Sequence, residues 1–500
     1  QIHKIKHMTD YSKTIIKGTS VIFTSTLVTS IIAYLIKIFL ARNLSISEFG
    51  LVSSIISLFG IFLILPGAGS GRAVAKLITE EKTKQNFKEI KTLIKTGFLT
   101  NLAISTILGL LFIIFSKQLA THYLHDPETA KYIVIYAMGF ILTPTIGIFK
   151  SIFMGYKQSK NYSIIDFSKT LLTLIFVFIF IKLNFGLMGV ILAYVLVYIL
   201  PLILFYPLFI KKTFPNFHKI NAGVKFEKAK KILSIGIPLT IASTAGVIFG
   251  YVDTAIITIF RSLEEVALYN ISLPTIKIIW NFERALSVIL LPVVIELWAK
   301  KDNIRFLNGI KKVYKYIFMI VAPIIIILVT YPELILNILF GPQYVGAANT
   351  VRILALASII IIFSKINLSI ITGISSPKKV GKAMLLGALL NLGLNIILIP
   401  KIGINGAAIA TGISFSFILL YTNKELKNIA NINYPIKNIM KIIIASIVSM
   451  GTIYFLKAII NLNVYLEAIL VLSIAAIMYL FIIFTLKVVS KEEIKRLIRK

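Results

Sequence analysis

The segment Ala267–Trp298, ALYNISLPTIKIIWNFERALSVILLPVVIELW, is long and apolar enough to cross a lipid bilayer as one helix. Its middle nevertheless carries Lys277, Asn281, Glu283 and Arg284. An ionised side chain at the centre of a bilayer costs about 2.5–3.5 kcal/mol even on lenient insertion scales, so it normally faces a water-filled cavity or a partner. We therefore expect this segment to line a polar cavity inside a membrane protein.

Three of these residues share one face of the helix. Lys277, Asn281 and Arg284 follow one another at i, i+4 and i+7, which stacks their side chains on one side of an α-helix. Glu283 falls on another face, where we expect it to neutralise neighbouring cations. The shared face predicts a cationic cavity that the rest of the chain builds and gates.

The composition is typical of a protein that crosses the membrane many times. The chain has 500 residues, of which 57% are hydrophobic, and a mean hydropathy of +0.90. It contains no cysteine, which excludes disulfides, thiolate metal ligands and cysteine nucleophiles. The net charge of +33 would suggest a nucleic-acid partner for a soluble protein, so the location of the basic residues decides its meaning.

Apolar runs of about 20 residues predict an all-α integral membrane protein with about fourteen transmembrane helices. Short polar loops separate the runs. The predicted spans are residues 18–41, 47–70, 93–115, 131–154, 163–181, 187–210, 232–259, 267–298, 314–330, 350–374, 382–399, 404–423, 438–460 and 465–487.

Basic residues are distributed unevenly between the loops. With the N-terminus placed in the cytoplasm, 41 of the 53 Lys and Arg residues fall on the cytoplasmic side, eight on the other side and four inside spans. By the positive-inside rule, both termini are predicted to be cytoplasmic and the protein to reside in the cytoplasmic membrane. The basic loops would lie against anionic lipids, so no nucleic-acid partner is expected.

The first six spans recur as a repeat. Gly186-Leu-Met-Gly matches Gly403-Ile-Asn-Gly at an offset of 217, and Arg42 matches Arg261 at an offset of 219. An even number of repeated spans preserves orientation, which predicts two parallel six-helix bundles with a binding site between them. The predicted domains are an N-terminal bundle at 1–210, a cytoplasmic linker at 211–231, a C-terminal bundle at 232–425, and two appended helices with a basic cytoplasmic tail at 426–500.

Two further spans carry a cation on a polar stripe. The stripes are Thr26, Ser30, Tyr34 and Lys37 in the first span and Ser358, Lys365, Ser369 and Thr372 in the tenth. Together with Arg284, these lysines would give the interior a positive charge, which favours an anionic substrate. The alternative is that Lys37 and Lys365 snorkel to the membrane surface or pair with carboxylates.

Asp253 is one of the few carboxylates predicted at membrane depth. It follows Gly246 and Gly250, a GxxxG step that permits close helix contact. Asp253 could carry a coupling proton or could neutralise a neighbouring cation, and the sequence leaves both interpretations open.

Enzyme motifs are absent from the sequence: there is no Walker loop, no G-x-S-x-G and no H-E-x-x-H. We therefore expect no enzymatic activity, no cofactor and no metal site, and transport that runs on a gradient.

Several stretches resemble the polysaccharide-biosynthesis flippases of the multidrug/oligosaccharidyl-lipid/polysaccharide (MOP) exporter superfamily. KGTSVIFTSTLVTSIIAYLIKIFLARNLSISEFGLVSSIIS (17–57) resembles the family's first two helices, PGAGSGRAVAK (66–76) its second-helix exit, and LFGPQYVGAANTVRILALAS (339–358) its loop into helix ten. The resemblance covers nearly the whole chain. It implies a MATE-like fold of two six-helix bundles around a central cavity, two extra helices and alternating access.

The resemblance also implies a substrate, namely a polyprenyl-(pyro)phosphate-linked oligosaccharide that is moved to the outer leaflet for assembly of surface polysaccharide or glycoprotein glycans. Membrane lipids and the enzymes of glycan assembly would be the other partners. The anionic head group would bind to Arg284, Lys277, Lys37, Lys365 and Asn281, with Arg42 and Arg72 at the cavity mouths and Asp253 as the candidate residue for ion coupling.

Two other functions stay open on the sequence alone. A cation-coupled multidrug antiporter of the same superfamily would need a cavity rich in carboxylates and aromatic residues. A membrane-embedded glycan polymerase or transferase would need a catalytic carboxylate set and usually a large external loop, whereas the longest predicted external loops, 116–130 and 331–349, are short.

Overall fold

The structure of the chain, a computed structural model, describes residues 2–67, 70–432 and 434–489. All regular elements in these ranges are helices, so the predicted all-α class is confirmed. Eleven helices of the described part are long and apolar enough to cross a membrane, as expected of a multi-pass membrane protein. Helix covers most of each predicted span in these ranges, while the count of fourteen stays a prediction.

Packing divides the chain into two compact units, Gln1–Ala267 and Leu268–Lys500. The helices that begin in the first unit are α1 (Ile2–Asn43), α2 (Ile46–Phe62), α3 (Ile64–Gly67), α4 (Ser70–Thr83), α5 (Phe87–Ile114), α6 (Ser116–His122), α7 (Ala130–Ile141), α8 (Thr143–Gly155), α9 (Ser159–Lys182), α10 (Gly186–Leu196), α11 (Leu200–Leu208), α12 (Phe226–Val247), α13 (Asp253–Phe260) and α14 (Leu263–Ala299).

A buried apolar core holds α4, α5 and α8 together in the first unit, and phenylalanines from the end of α11 and the following segment complete it. The segment between α11 and α12 is fastened to α5. Lys91 donates from Nζ to the carbonyl oxygens of Phe217 at 2.5 Å and Ile220 at 2.6 Å. The predicted linker is therefore held against α5 by hydrogen bonds to its backbone.

The seventh predicted span packs within the first unit. It consists of α12, a π-helical turn at Ile248–Val252 and α13, and it contacts α2, α4 and α5. Ser54 Oγ lies 2.8 Å from Thr258 Oγ1, and Ser57 Oγ donates to the carbonyl oxygen of Tyr251 at 2.6 Å. The boundary between the two packed units therefore comes after the seventh span. The predicted boundary, which follows from the sequence repeat, comes before that span and stays a prediction.

The second unit contains most of α14 and six further helices. These are α15 (Asn303–Thr330), α16 (Pro332–Phe340), α17 (Ala348–Ile374), α18 (Pro377–Ala430), α19 (Ile436–Ile459) and α20 (Val464–Thr485). A kink with non-helical backbone at Ile402 and Gly403 divides α18 between the predicted spans 382–399 and 404–423.

Glycine occupies the same turn in both copies of the repeat. Gly186 at the start of α10 has φ +54°, and Gly403 at the kink of α18 has φ +58°. A residue with a Cβ atom is strained in this left-handed region, whereas glycine adopts it freely. The repeated Gly-x-x-Gly pattern therefore begins at a backbone turn that precedes a helix in each copy.

The two appended helices are attached to α15. Tyr479 donates from Oη to the carbonyl oxygen of Met319 at 2.8 Å. Lys457 Nζ lies 3.7 Å from the ring centroid of Tyr331, whose hydroxyl donates to Glu467 at 3.4 Å. Burial, followed by the nearby Glu467 carboxylate, raises the pKa of Tyr331 to about 12, so this donor keeps its proton at neutral pH. The basic tail at 490–500 lies outside the described residues.

The close helix contact that the GxxxG step permits is not made in the part of the chain that the structure describes. A Cβ atom added to Gly246 or Gly250 would meet no heavy atom within 4 Å. The close approach occurs instead at Gly50 on α2, where an added Cβ would lie 1.9 Å from the carbonyl oxygen of Leu263. The GxxxG pattern could not reveal this contact, because the neighbour is a backbone carbonyl far away in sequence.

Gly50→Ala should lower the apparent melting temperature of the purified protein, because the new methyl group would displace the carbonyl of Leu263. Overpacking of this kind costs about 1–3 kcal/mol. Gly246→Ala is the matched control, since the same methyl group meets open space on a helix and should leave the midpoint unchanged or slightly raised. Thermal-shift measurements in one detergent compare the two variants. An unchanged midpoint for Gly50→Ala would contradict this packing of α2.

Candidate functional site

A buried carboxylate anchors a polar cluster on α14. Glu283 is only 4% exposed, and Ser287, one turn later, donates from Oγ to its Oε1 at 2.6 Å. Lys365 and Arg284 also interact electrostatically with this carboxylate. A buried carboxylate is costly unless hydrogen bonds and opposite charges compensate it, and Glu283 has both.

Trp280 connects α14 to α17 within the cluster. The Nζ atom of Lys365 lies 4.2 Å from the centroid of the Trp280 ring. Trp280 donates from Nε1 to Ser358 Oγ at 3.1 Å, and Ser358 in turn donates to the carbonyl oxygen of Leu354 at 2.8 Å. These bonds fix the indole so that its face is presented to the ammonium group, an interaction worth about 0.5–2 kcal/mol.

The cluster retains excess positive charge. Lys365 interacts electrostatically with Lys277 and Arg284 as well as with Glu283. Arg284 is exposed, and Lys277 and Asn281 are partly exposed. Three cations thus lie in this cluster, and the Glu283 carboxylate interacts with two of them, Lys365 and Arg284.

The structure brings together the candidate residues that sequence analysis assigned to α14 and α17. Lys277, Arg284 and Lys365 form one cluster, and Glu283 compensates it as the sequence analysis expected. Lys365 lies over the Trp280 ring and also interacts with Glu283, so the alternative that this lysine pairs with a carboxylate stays open. Sequence analysis missed the role of Trp280, although its position four residues before Arg284 placed it on the polar face.

The other candidate residues belong to the first unit. Lys37 is partly exposed on α1, Arg42 is exposed in the last turn of α1, Arg72 is exposed on α4, and Asp253 is 4% exposed at the start of α13. Thr26 and Ser30, which share the stripe of Lys37, line a cavity against α9 inside this unit. Part of the predicted stripe thus has a partner helix in its own bundle.

The sequence is similar to proteins of glycan assembly. It matches the family model described as polysaccharide biosynthesis protein over residues 15–298. An uncharacterized membrane protein of Methanocaldococcus jannaschii is 28% identical over 460 residues, which cover 89% of this chain and 90% of that protein. The probable low-salt glycan biosynthesis flippase Agl15 of Haloferax volcanii is 24% identical over 243 residues, which cover 47% of this chain and 51% of Agl15.

Solved structures of the MOP superfamily share the fold. Lipid II flippase MurJ in an inward closed conformation superposes with a TM-score of 0.74 at 17% identity, covering 92% of this chain and 97% of MurJ. An inward-facing MATE-family multidrug transporter superposes with a TM-score of 0.63 at 15% identity, covering 80% of this chain and 95% of that transporter. The predicted MATE/MOP-like fold is therefore confirmed.

The cluster should attract small anions to Trp280, which becomes the only tryptophan in a Trp298→Phe background. In that background, Arg284→Ala should lower the Stern–Volmer constant for quenching of Trp280 by iodide about 2–3-fold. This is the change in local iodide concentration expected in water when one positive charge about 7 Å from the iodide is removed. Quenching by neutral acrylamide should not change. Fluorescence titrations in nanodiscs measure both constants.

Arg305→Ala serves as the control, because Arg305 is an exposed arginine at the start of α15 and lies outside the cluster. It should leave both quenching constants unchanged. A loss of iodide quenching matched by an equal loss of acrylamide quenching would mean that the variant altered access rather than potential, and would contradict the anion-attracting cluster.

Proposed function

The chain belongs to the polysaccharide biosynthesis protein family, and from this membership we propose that it is a flippase for a polyprenyl-(pyro)phosphate-linked oligosaccharide. The cargo would cross the cytoplasmic membrane by alternating access and would be used for cell-surface polysaccharide or glycoprotein glycans. The name of the similar Haloferax protein, a probable glycan biosynthesis flippase, supports this proposal.

The single observation that carries the proposal is the cationic cluster around Trp280. Arg284 and Lys365 interact with the carboxylate of Glu283, and Lys277 adds a third cation beside Lys365. Phosphate and pyrophosphate groups are bound by such cations through charge-assisted hydrogen bonds. An anionic head group would supply the negative charge that the cluster lacks, and Arg284, being exposed, is the cation best placed to meet it.

Prolines lie on both sides of the cluster in α14. Pro274 and Pro292 stand inside this 37-residue helix, and each removes one backbone hydrogen bond. A helix can bend at such positions. We propose that α14 bends there as the transporter alternates, with Lys37 as a further head-group ligand and with Arg42 and Arg72 at the mouths of the pathway.

A cation-coupled multidrug antiporter is the alternative within the superfamily. It would need carboxylates to bind cationic drugs, whereas the described cluster holds three cations and one carboxylate that is already hydrogen-bonded to Ser287. The charge of the cluster therefore favours an anionic cargo. The buried Asp253 fits ion coupling in either kind of transporter.

Arg284→Ala should reduce flipping of a fluorescent polyprenyl-diphosphate oligosaccharide at least about tenfold in proteoliposomes, because a charge-assisted contact contributes about 1.5–3 kcal/mol. Arg284→Lys should keep part of the rate. A leaflet-resolved assay with a membrane-impermeant quencher gives the rate, and Arg305→Ala is the control with full activity. Flipping by Arg284→Ala at the wild-type rate, at equal protein density, would refute the assigned role.

Asp253→Asn should abolish the acceleration of flipping by an imposed proton or sodium gradient, because the neutral amide cannot exchange a charge. Slow flipping without a gradient should persist. Asp302→Asn is the control, since Asp302 caps the start of α15 and asparagine caps equally well. If the gradient still accelerates Asp253→Asn, then Asp253 only compensates a neighbouring cation.

A further inference from the structure

A polar cavity lies inside the first unit, between α1 and α9, with a volume of about 310 Å³. Eleven residues line it, and seven of them carry hydroxyl groups. A volume at the lower end of the usual range for ligand sites fits one or two sugar rings and excludes a whole lipid-linked glycan.

Two buried hydroxyl oxygens in the wall have no hydrogen-bond partner among the described residues. They are Thr29 Oγ1 on α1 and Ser163 Oγ on α9, and Ser163 is only 5% exposed. A buried hydroxyl normally has a partner, because leaving one unpaired costs free energy. Both residues line the cavity, so after a side-chain rotation a polar ligand there would offer these two hydroxyls the partners that the described residues do not supply.

Other hydroxyls in the wall are fixed as acceptors. Thr26 and Ser30 on α1 donate to backbone carbonyl oxygens one turn earlier at 2.7 and 2.8 Å, and Thr170 on α9 does the same at 3.0 Å. Each of these hydroxyls donates its proton to a backbone carbonyl, so towards a ligand it can act only as an acceptor through its oxygen lone pairs. A wall of hydroxyl acceptors suits a ligand that brings many O–H donors, which is the chemistry of a sugar ring.

The charges beside the cavity leave one positive charge in excess. Asp166 accepts two hydrogen bonds from Lys150 Nζ, at 2.8 and 2.9 Å. Lys169, which lines the cavity, donates to Tyr198 Oη at 3.4 Å and lies 4.5 Å from the Tyr198 ring centroid. Two lysines thus share one carboxylate, and Lys169 keeps donors for a carboxylate on the ligand.

We propose that this cavity binds one sugar ring of the transported glycan and prefers a ring that carries a carboxylate, a hexuronic acid. The ring hydroxyls would bond to the α1 and α9 hydroxyls, including Ser163 and Thr29, and the carboxylate would bond to Lys169. This inference rests on the proposed function and specifies its cargo. The cavity lies along residues 22–33 of α1 and 162–170 of α9, mainly in the first halves of the predicted spans 18–41 and 163–181, on the predicted cytoplasmic side, where the cargo would be loaded.

Binding of small sugars to the purified full-length protein tests the proposal. Saturation-transfer NMR titrations in nanodiscs of uncharged lipid should give methyl glucuronide an affinity about tenfold above that of methyl glucoside, as expected for a charge-assisted contact. Lys169→Met should remove this preference. Ala33→Leu, which fills the cavity from an exposed position of its wall, should abolish binding of both sugars.

Thr173→Val is the matched control on α9. Thr173 is a buried threonine that donates to the carbonyl oxygen of Lys169 at 2.9 Å and does not line the cavity, so its replacement should leave both affinities unchanged. Glycerol 1-phosphate, a lipid head group, is the competing probe. If it binds in a Lys169-dependent manner while neither sugar does, the cavity is a lipid site and the proposal is overturned.

The outcome is separable from that of the flippase proposal. If both sugars bind to Ala33→Leu as to the wild type, the sugar site is refuted while the Arg284 flipping assay can still succeed. If the sugars bind as expected but the protein does not flip the lipid-linked probe, the sugar-binding site is supported and the flippase proposal is refuted.

Discussion

A charge inside an apolar helix bundle is stable only where an opposite charge or an oriented dipole compensates it, and the polar contacts of both units follow this constraint. In the second unit, Glu283 is compensated by Ser287, Arg284 and Lys365, and Lys365 is further held by the Trp280 ring. In the first unit, the Lys150 and Asp166 pair meets the same requirement beside α1. The contacts of Lys365 link α17 to α14, and the Lys150 and Asp166 pair links α8 to α9.

Much of the fold could be predicted from the sequence, because length and apolarity decide which segments cross a membrane. The sequence repeat identified equivalent turns in the two copies, because Gly186 and Gly403 both adopt a left-handed backbone conformation there. Irregular turns inside a span could not be predicted from the hydrophobicity pattern. The π-helical turn at Ile248–Val252, for example, consists of apolar residues and glycine, like other parts of its span. The GxxxG spacing permits a close contact but does not identify the neighbouring residue, and the tight contact of α2 is made at Gly50 instead.

The candidate site was predictable on α14, where the cost of burying Lys277, Glu283 and Arg284 demanded an explanation. Its completion by Lys365 and Trp280 depends on the contact between α14 and α17, which no local pattern encodes. The hydroxyl-lined cavity was missed for the same reason. Serine and threonine are common in membrane helices, and only the packing of α1 against α9 shows that two of them lack partners.

The buried and partly buried lysines of the second unit differ in the groups that compensate their positive charge. Lys315 and Lys441 donate to the carbonyl oxygens of Val488 and Leu486, where the end of α20 leaves backbone acceptors without helical partners. Such lysines are compensated by the fold itself, and an added anion would have to compete with those bonds. Around Trp280, Lys365 interacts with Glu283 and also with two other cations, Lys277 and Arg284, and under the proposed function a phosphate would add negative charge to this group. The proposal of an anionic cargo rests on this grouping of cations around Trp280.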